Sequence, residues 1–159
     1  MIINEGIGDK PTSVYGNLIN LKFMFTIICL LMIIIIFITY DNNIYVGLGM
    51  LNEYNDDDYK ACKKIILAFL IVFSIFIAID IIIQISGLNY NFYKLTIIIL
   101  SLKIFEVFLL VLFFLDSWNY FTIIYIFIFT QFFCTFFEIY SLIFNLCSTF
   151  KKYNKIRNL

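Results

Sequence analysis

Long uncharged runs, rather than alternation, organise this chain. Phe23 to Tyr40 carries no charge; Ile65 to Tyr93 holds one, Asp80; Leu95 to Leu115 holds Lys103 and Glu106; Ser117 to Phe150 holds only Glu138. A helix needs about 20 residues to cross a hydrocarbon core about 30 Å thick. Four spans are therefore expected, near 22–40, 64–86, 95–116 and 120–146. A closed β-barrel is the other structure that satisfies every backbone polar group in lipid. Its strands are about 10 residues long and alternate strictly in and out, whereas these runs are longer and do not alternate. The pattern predicts an all-α membrane protein, a four-transmembrane-helix bundle built as an antiparallel up-down meander. Residues 1–20 form an N-terminal segment, 21–150 the membrane domain with an outer loop at 41–63, and 151–159 a basic tail.

Composition agrees and adds orientation. Of 159 residues, 63% are hydrophobic and 14% charged, with zero net charge. Soluble domains sit nearer 45–50% apolar and about 25% charged. An isoleucine-rich composition inflates hydropathy, so the placement of charge is the stronger witness. Residues 1–20, with Glu5, Asp9, Lys10 and Pro11, lack the basic start and small-residue cleavage site of a signal peptide, and the first span is expected to be a retained signal anchor. Lys10, Lys22, Lys94, Lys151, Lys152, Lys155 and Arg157 fall on one side, and Lys60, Lys63 and Lys64 on the other. The basic excess predicts that both termini are cytoplasmic.

On that orientation the 41–63 loop is extracytoplasmic. Its cluster Asp56, Asp57, Asp58 directly precedes the second span, where carboxylates complement the positive end of a helix dipole. The cluster lacks the spaced ligands and glycine of a calcium loop; a capped, solvated helix start outweighs a cation or partner site. The short connections 87–94 and 117–120 predict that spans two, three and four are antiparallel neighbours. Trp118 and Tyr120 at one boundary, and Tyr90 and Tyr93 at the other, suit interfacial aromatic belts.

The chemical inventory argues against catalysis. Histidine is absent, which removes the commonest general base. The four cysteines, Cys29, Cys62, Cys134 and Cys147, form no paired motif. Cys147, beside Lys151 and Lys152, is a candidate for palmitoylation, set against an unmodified packing thiol. No phosphate loop, nucleophile elbow or glycosylation acceptor occurs. No catalytic residue, cofactor, metal or nucleic-acid partner is expected. The basic tail is a topology determinant that also complements the last helix dipole, with contact to anionic lipid as the competing role.

The polar residues left inside the spans are the informative ones. In the fourth span Gln131, Cys134, Glu138, Ser141, Asn145 and Ser148 recur at spacings of 3, 4, 3, 4 and 3, one seam of a helix. The second span aligns Asp80 and Gln84, with Gly87 continuing the face; the third aligns Thr96, Lys103 and Glu106; the first offers Thr26 and Cys29. An ionised Asp or Lys at mid-membrane costs roughly 2.5–3.5 kcal/mol on insertion scales. Pairing is therefore expected, with Lys103 between Asp80 and Glu138 and with Glu106 as its neighbour one turn away. The cluster is read as glue between helices. The competing reading is a proton or substrate path, against which stand the absence of an internal repeat and of a Gly- or Pro-broken span.

These residues also resemble the transmembrane protein 107 family, small tetraspan proteins of the ciliary transition zone. The likeness begins at Asp41, Asn42, Asn43, Ile44 and continues at the acidic pair before Tyr59. It is firmest from Asp80, placed six residues before Ser86 and Gly87. It then runs without a gap through Phe113 and Phe114, Trp118, the stretch Tyr125, Ile126, Phe127, Ile128, Phe129, and Glu138; Lys151 and Lys152 match the family's basic tail. The match covers roughly residues 20 to 152. Lys103 stands where the family resembled carries a histidine. Glu106 and the N-terminal extension have no counterpart, and the outer loop is about two residues longer.

The resemblance implies a non-enzymatic multi-pass scaffold of the transition zone, contributing to cilium assembly and to the gating of ciliary membrane composition. The implied partners are tectonics, other small tetraspans and B9-domain proteins, besides membrane lipid. The alternatives are a small proton- or solute-coupled transporter using intramembrane carboxylates, or a generic tetraspan sorting protein.

Overall fold

The structure, a computed structural model, describes residues 12–49, 56–86 and 93–157. Helix α1 is Thr12–Gly49, α2 is Asp56–Ile85 and α3 is Tyr93–Leu115. The fourth span is built in three parts: α4 (Thr122–Ile126), a π-helical turn over Phe127–Phe132, and α5 (Phe133–Arg157). All four runs are long and apolar enough to cross a membrane: Gly16–Gly49, Asp57–Ile85, Lys94–Leu115 and Thr122–Ser148. No strand occurs among the described residues. The all-α, four-span architecture expected from the charge pattern is the one observed. Of the residues singled out above, 1–11, Gly87 and Tyr90 lie outside the described residues, as do the side chains of Asp56, Tyr93, Lys151, Lys152, Lys155 and Arg157.

Lipid explains why β-branched isoleucines build helices here. Without water to take their hydrogen bonds, backbone N–H and C=O groups are satisfied within one segment only as a helix, and this outweighs a propensity deficit of a few tenths of a kcal/mol per residue. At 1.5 Å rise per residue, the 38 residues of α1 extend about 57 Å, well beyond a core about 30 Å thick. Residues 41–49 and 56–63, read from the sequence as loop, are helical continuations of α1 and α2. What remains of the outer connection is 50–55, outside the described residues. Helix α2 does begin at the acidic cluster, and Asp57 pairs there with Lys60 at 3.6 Å on the exposed surface.

The neighbour relations differ from a simple meander. Helix α1 packs on α2 and α3, and the fourth span also packs on α2 and α3. Helices α2 and α3, consecutive in the chain, make no close backbone approach among the described residues; nor do α1 and the fourth span. The four helices thus form a ring in the order α1, α2, fourth span, α3, with α2 and α3 across one diagonal. Short connections limit how far apart two helix ends lie but do not require that the helices touch.

The end of the bundle away from the chain termini is knitted by α1. The Asn43 amide donates to the carbonyls of Phe113 (3.3 Å) and Trp118 (2.8 Å), clamping the turn between α3 and α4. That turn reverses through Ser117 at φ 47°, a left-handed conformation uncommon outside glycine. It delivers Tyr120 into the core, 7% exposed, where its hydroxyl accepts from the Cys62 thiol at 3.1 Å. Burial, with the Cys62 contact second, pushes the Tyr120 phenol up to about 12, so it stays a neutral hydroxyl at physiological pH. Tyr120 is therefore a packed residue and not part of an exposed aromatic belt. Beside it Tyr59 donates to Asp41 at 2.6 Å and stacks on Tyr45, while the Lys63 ammonium lies over the Tyr40 and Tyr59 rings.

Gly47 makes this junction close. A Cβ there would stand 2.6 Å from Cδ1 of Tyr120 and 2.9 Å from Oδ1 of Asn119, whereas Gly49 has open space. Gly47→Ala is expected to destabilise the bundle by about 1–3 kcal/mol through overpacking, and Gly49→Ala to change little. Thermal unfolding in detergent, followed by the fluorescence of Trp118, measures both; equal midpoints for the two variants would contradict the close packing.

Candidate functional site

The interior carries its polar residues in two layers. The central layer is built around Lys103 of α3. Its ammonium lies 3.0 Å from Oδ2 of Asp80 on α2 and 3.2 Å from Oε2 of Glu106 one turn along its own helix, and it donates to Oε1 of Gln131 in the fourth span. The Gln131 amide nitrogen donates to Asp80 Oδ2 at 2.7 Å and to Thr135 Oγ1 at 3.0 Å, and Thr135 donates to Asp80 Oδ1 at 2.6 Å. Both Asp80 oxygens are thus occupied. Asp80, Lys103, Glu106, Gln131 and Thr135 are all fully buried.

The π turn makes this layer possible. In a regular α-helix the inward seam is narrow, one residue every three or four. The widened turn over Phe127–Phe132 lets consecutive residues, Thr130 with Gln131 and then Cys134 with Thr135, all be buried. Thr135 thereby joins a network that the 3-4 spacing alone assigns to Gln131 and Cys134. Single π turns of this kind are common at functional positions in helices.

The second layer lies nearer the chain termini. Lys22 of α1 is 3% exposed and its ammonium sits 3.0 Å from Oε1 of Glu138. The Gln84 amide nitrogen donates to Thr26 Oγ1 at 3.1 Å and to the same Glu138 oxygen at 3.4 Å; Thr26 in turn donates to the Lys22 carbonyl. Thr96, Ser141 and Asn145 continue the polar face and are buried. Cys147 is exposed on α5, and Ser148 is half-buried.

Both layers span diagonals of the ring. Lys103 with Asp80 joins α3 to α2, and Lys22 with Glu138 joins α1 to α5, the two helix pairs whose backbones do not approach. Long side chains reach through the middle of the bundle where backbones stand apart.

This corrects the pairing expected from the sequence. Lys103 meets Asp80 and Glu106 as anticipated but makes no ion pair with Glu138, whose partner is Lys22. By charge placement alone Lys22 reads as a basic residue at the mouth of the first span. Its spacing held the signal: Lys22, Thr26 and Cys29 follow at 4 and 3, on one helix face. The pattern does not point to Asn43 or Thr135: Asn43 follows the uncharged run that marks the first span, and a π turn has no clear sequence signature.

With all groups ionised, two lysines face three carboxylates, one negative charge in excess. Glu106 is the least satisfied: neither oxygen accepts a hydrogen bond of good geometry, and its ion-pair partner is the Lys103 ammonium at 3.2 Å. Among the described residues no group of three or more His, Cys, Asp and Glu side chains could hold a metal ion. What the arrangement does chemically is tie four helices together in a solvent that offers no other partner for charge.

Sequence comparison fits this chain to a known group: the profile of the TMEM107 transmembrane protein family matches residues 18–142. The chain belongs to the TMEM107 family. The matched segment contains both ion-pair layers, from Lys22 to Ser141, and the Asn43 and Tyr120 junction. No curated protein and no solved structure matches it.

Two predictions follow from the TMEM107-family core. Lys103→Met should cost about 3–5 kcal/mol, because it strands Asp80 and Glu106 as buried carboxylates, while Glu106→Gln should be neutral or stabilising because it removes the excess charge and leaves the Lys103–Asp80 pair. Denaturation of the folded bundle in mixed micelles ranks them, and a Glu106→Gln loss as large as that of Lys103→Met would refute the assignment. In the outer layer, Lys22→Met should destabilise more than Glu138→Gln, since an orphaned Lys22 near a helix end can extend to the interface. The double variant should recover part of the Lys22→Met loss; strict additivity in that cycle would mean the pair is not coupled.

Proposed function

We propose that this protein is a non-enzymatic multi-pass scaffold of the ciliary transition zone, with both termini cytoplasmic, that contributes to cilium assembly and to gating of ciliary membrane composition. Membership of the TMEM107 family supports the reading, since that is the role the family resemblance implies. The observation that carries it is the closed central network: Asp80, Lys103, Gln131 and Thr135 direct their polar atoms at one another across three helices. Groups spent on one another hold helices together; groups that move a solute must exchange partners with it.

A scaffold works through its outside. The outer surface carries large apolar side chains throughout, including Phe129, Phe136 and Tyr140 of the fourth span and Ile82 of α2. In lipid such a surface gains from close packing against a matching surface and not from hydrophobic burial. Partners are then other membrane proteins of the same assembly, tectonics and small tetraspans, with B9-domain proteins at the cytoplasmic face.

A fluorescently tagged full-length copy in ciliated cells is expected to form a ring at the ciliary base, and proximity labelling from it to enrich the tectonics. A diffuse endomembrane pattern would sink the proposal. Reconstituted liposomes are expected to show no pH-gradient-driven flux; flux abolished by Glu138→Gln would favour the transporter instead.

A further inference from the structure

Around Glu138 three buried polar oxygens have no partner among the described residues: Oε2 of Glu138, Oε1 of Gln84 and Oγ of Ser141. They belong to side chains 0%, 8% and 2% exposed, on two different helices. The Gln84 amide already touches the Glu138 carboxylate through its nitrogen at 3.4 Å, so the free amide oxygen and the free carboxylate oxygen are the far atoms of two groups in contact. Ser141 stands one turn along α5 from Glu138, on the same face. Three unsatisfied groups in a low-dielectric interior cost more than immobilising one small molecule that pairs with all of them.

The chemistry of the trio specifies the ligand. Glu138 Oε2 and Gln84 Oε1 are acceptors, and Ser141 is a hydroxyl able to donate. The ligand therefore offers two donors and one acceptor at a single atom. A metal cation supplies no donors and would sit against the Lys22 ammonium already 3.0 Å from the other Glu138 oxygen. An anion would face the carboxylate. We propose that this cluster of side chains binds one structural water, which donates to Glu138 Oε2 and to Gln84 Oε1 and accepts from Ser141. Three hydrogen bonds is the usual complement of a buried protein water.

The second layer lies nearer the chain termini and is slightly more open than the central one. The central residues Asp80, Lys103, Glu106, Gln131 and Thr135 are all 0% exposed, whereas Ser141, Lys22, Thr96, Asn145 and Gln84 rise from 2% to 8% toward the chain termini. At Glu106, whose oxygens also lack good hydrogen bonds, the Lys103 ammonium stands 3.2 Å away and already faces the carboxylate. On this proposal the layer nearer the termini holds a water, while the Asp80 oxygens of the central layer are taken by protein groups. This goes beyond the scaffold reading and does not depend on it.

Proton-detected solid-state NMR of the full chain in liposomes, with water as the magnetisation source, tests the site. Gln131 is the internal control: the same side chain, in the same bundle, with both its amide nitrogen and oxygen taken by protein groups. The Gln84 side-chain amide is expected to show a water cross-peak several-fold stronger than that of Gln131. Ser141→Val, which removes one partner and occupies its space, is expected to reduce the Gln84 peak to the level of Gln131 in a bundle whose circular dichroism is unchanged. A Gln84 peak no stronger than the Gln131 peak in the unmodified protein overturns the proposal, and that comparison stands even if the variant does not fold. A strong Gln84 peak that survives Ser141→Val in folded protein also overturns it, because the water would then not be held by this trio.

Discussion

The Lys103 ammonium is the point on which the bundle turns. It binds a carboxylate of α2, a carboxylate of its own helix and an amide of the fourth span. Each charge alone would be expensive in hydrocarbon; together they remove one another's cost only in a single arrangement of helices. Apolar side chains specify little here, because an isoleucine facing lipid and an isoleucine facing another helix are in much the same solvent. The polar contacts carry the geometric information that hydrophobic burial carries in a soluble protein.

That role accounts for the ring order. Ion pairs across both diagonals join α2 to α3, and α1 to the fourth span, through the centre although their backbones stand apart. The π turn in the fourth span serves the same end, since it brings Thr135 inward beside Gln131 at the depth where Asp80 and Lys103 meet. At the opposite end of the bundle the fit is of another kind: an asparagine clamps a turn and a glycine admits a ring. The molecule is pinned by electrostatics in the middle and by close packing at the loop end, which suits a component that keeps its shape among membrane neighbours.

Much of the polar core was legible in the primary structure. The fourth-span seam puts Gln131, Cys134, Glu138, Ser141, Asn145 and Ser148 on one face; all are buried except Ser148, which is half-buried. The pairs Lys103–Asp80 and Lys103–Glu106 were anticipated from helix spacing and the cost of unpaired charge. Lys22 was not, although it shares a face with Thr26 and Cys29. A lysine near a span end is compatible with either the interface or the interior, and only a carboxylate at the right depth on another helix decides between them. Likewise residues 41–49 read as loop because they open on Asp41, Asn42 and Asn43, yet the Asn43 amide clamps the Phe113–Trp118 turn.

What the sequence determined by itself is the class of solution: four apolar runs of sufficient length with few or no charges, in a medium without hydrogen-bonding solvent, become four helices whatever their order in space. It also determined that a handful of charges must meet, because none is tolerable alone. Which charges meet was left to the tertiary structure. Spacing along a helix reports only direction around its axis, whereas a pair forms from the depth and angle of two helices at once, and those were settled by the π turn, the Gly47 junction and the diagonal placement of α2 and α3.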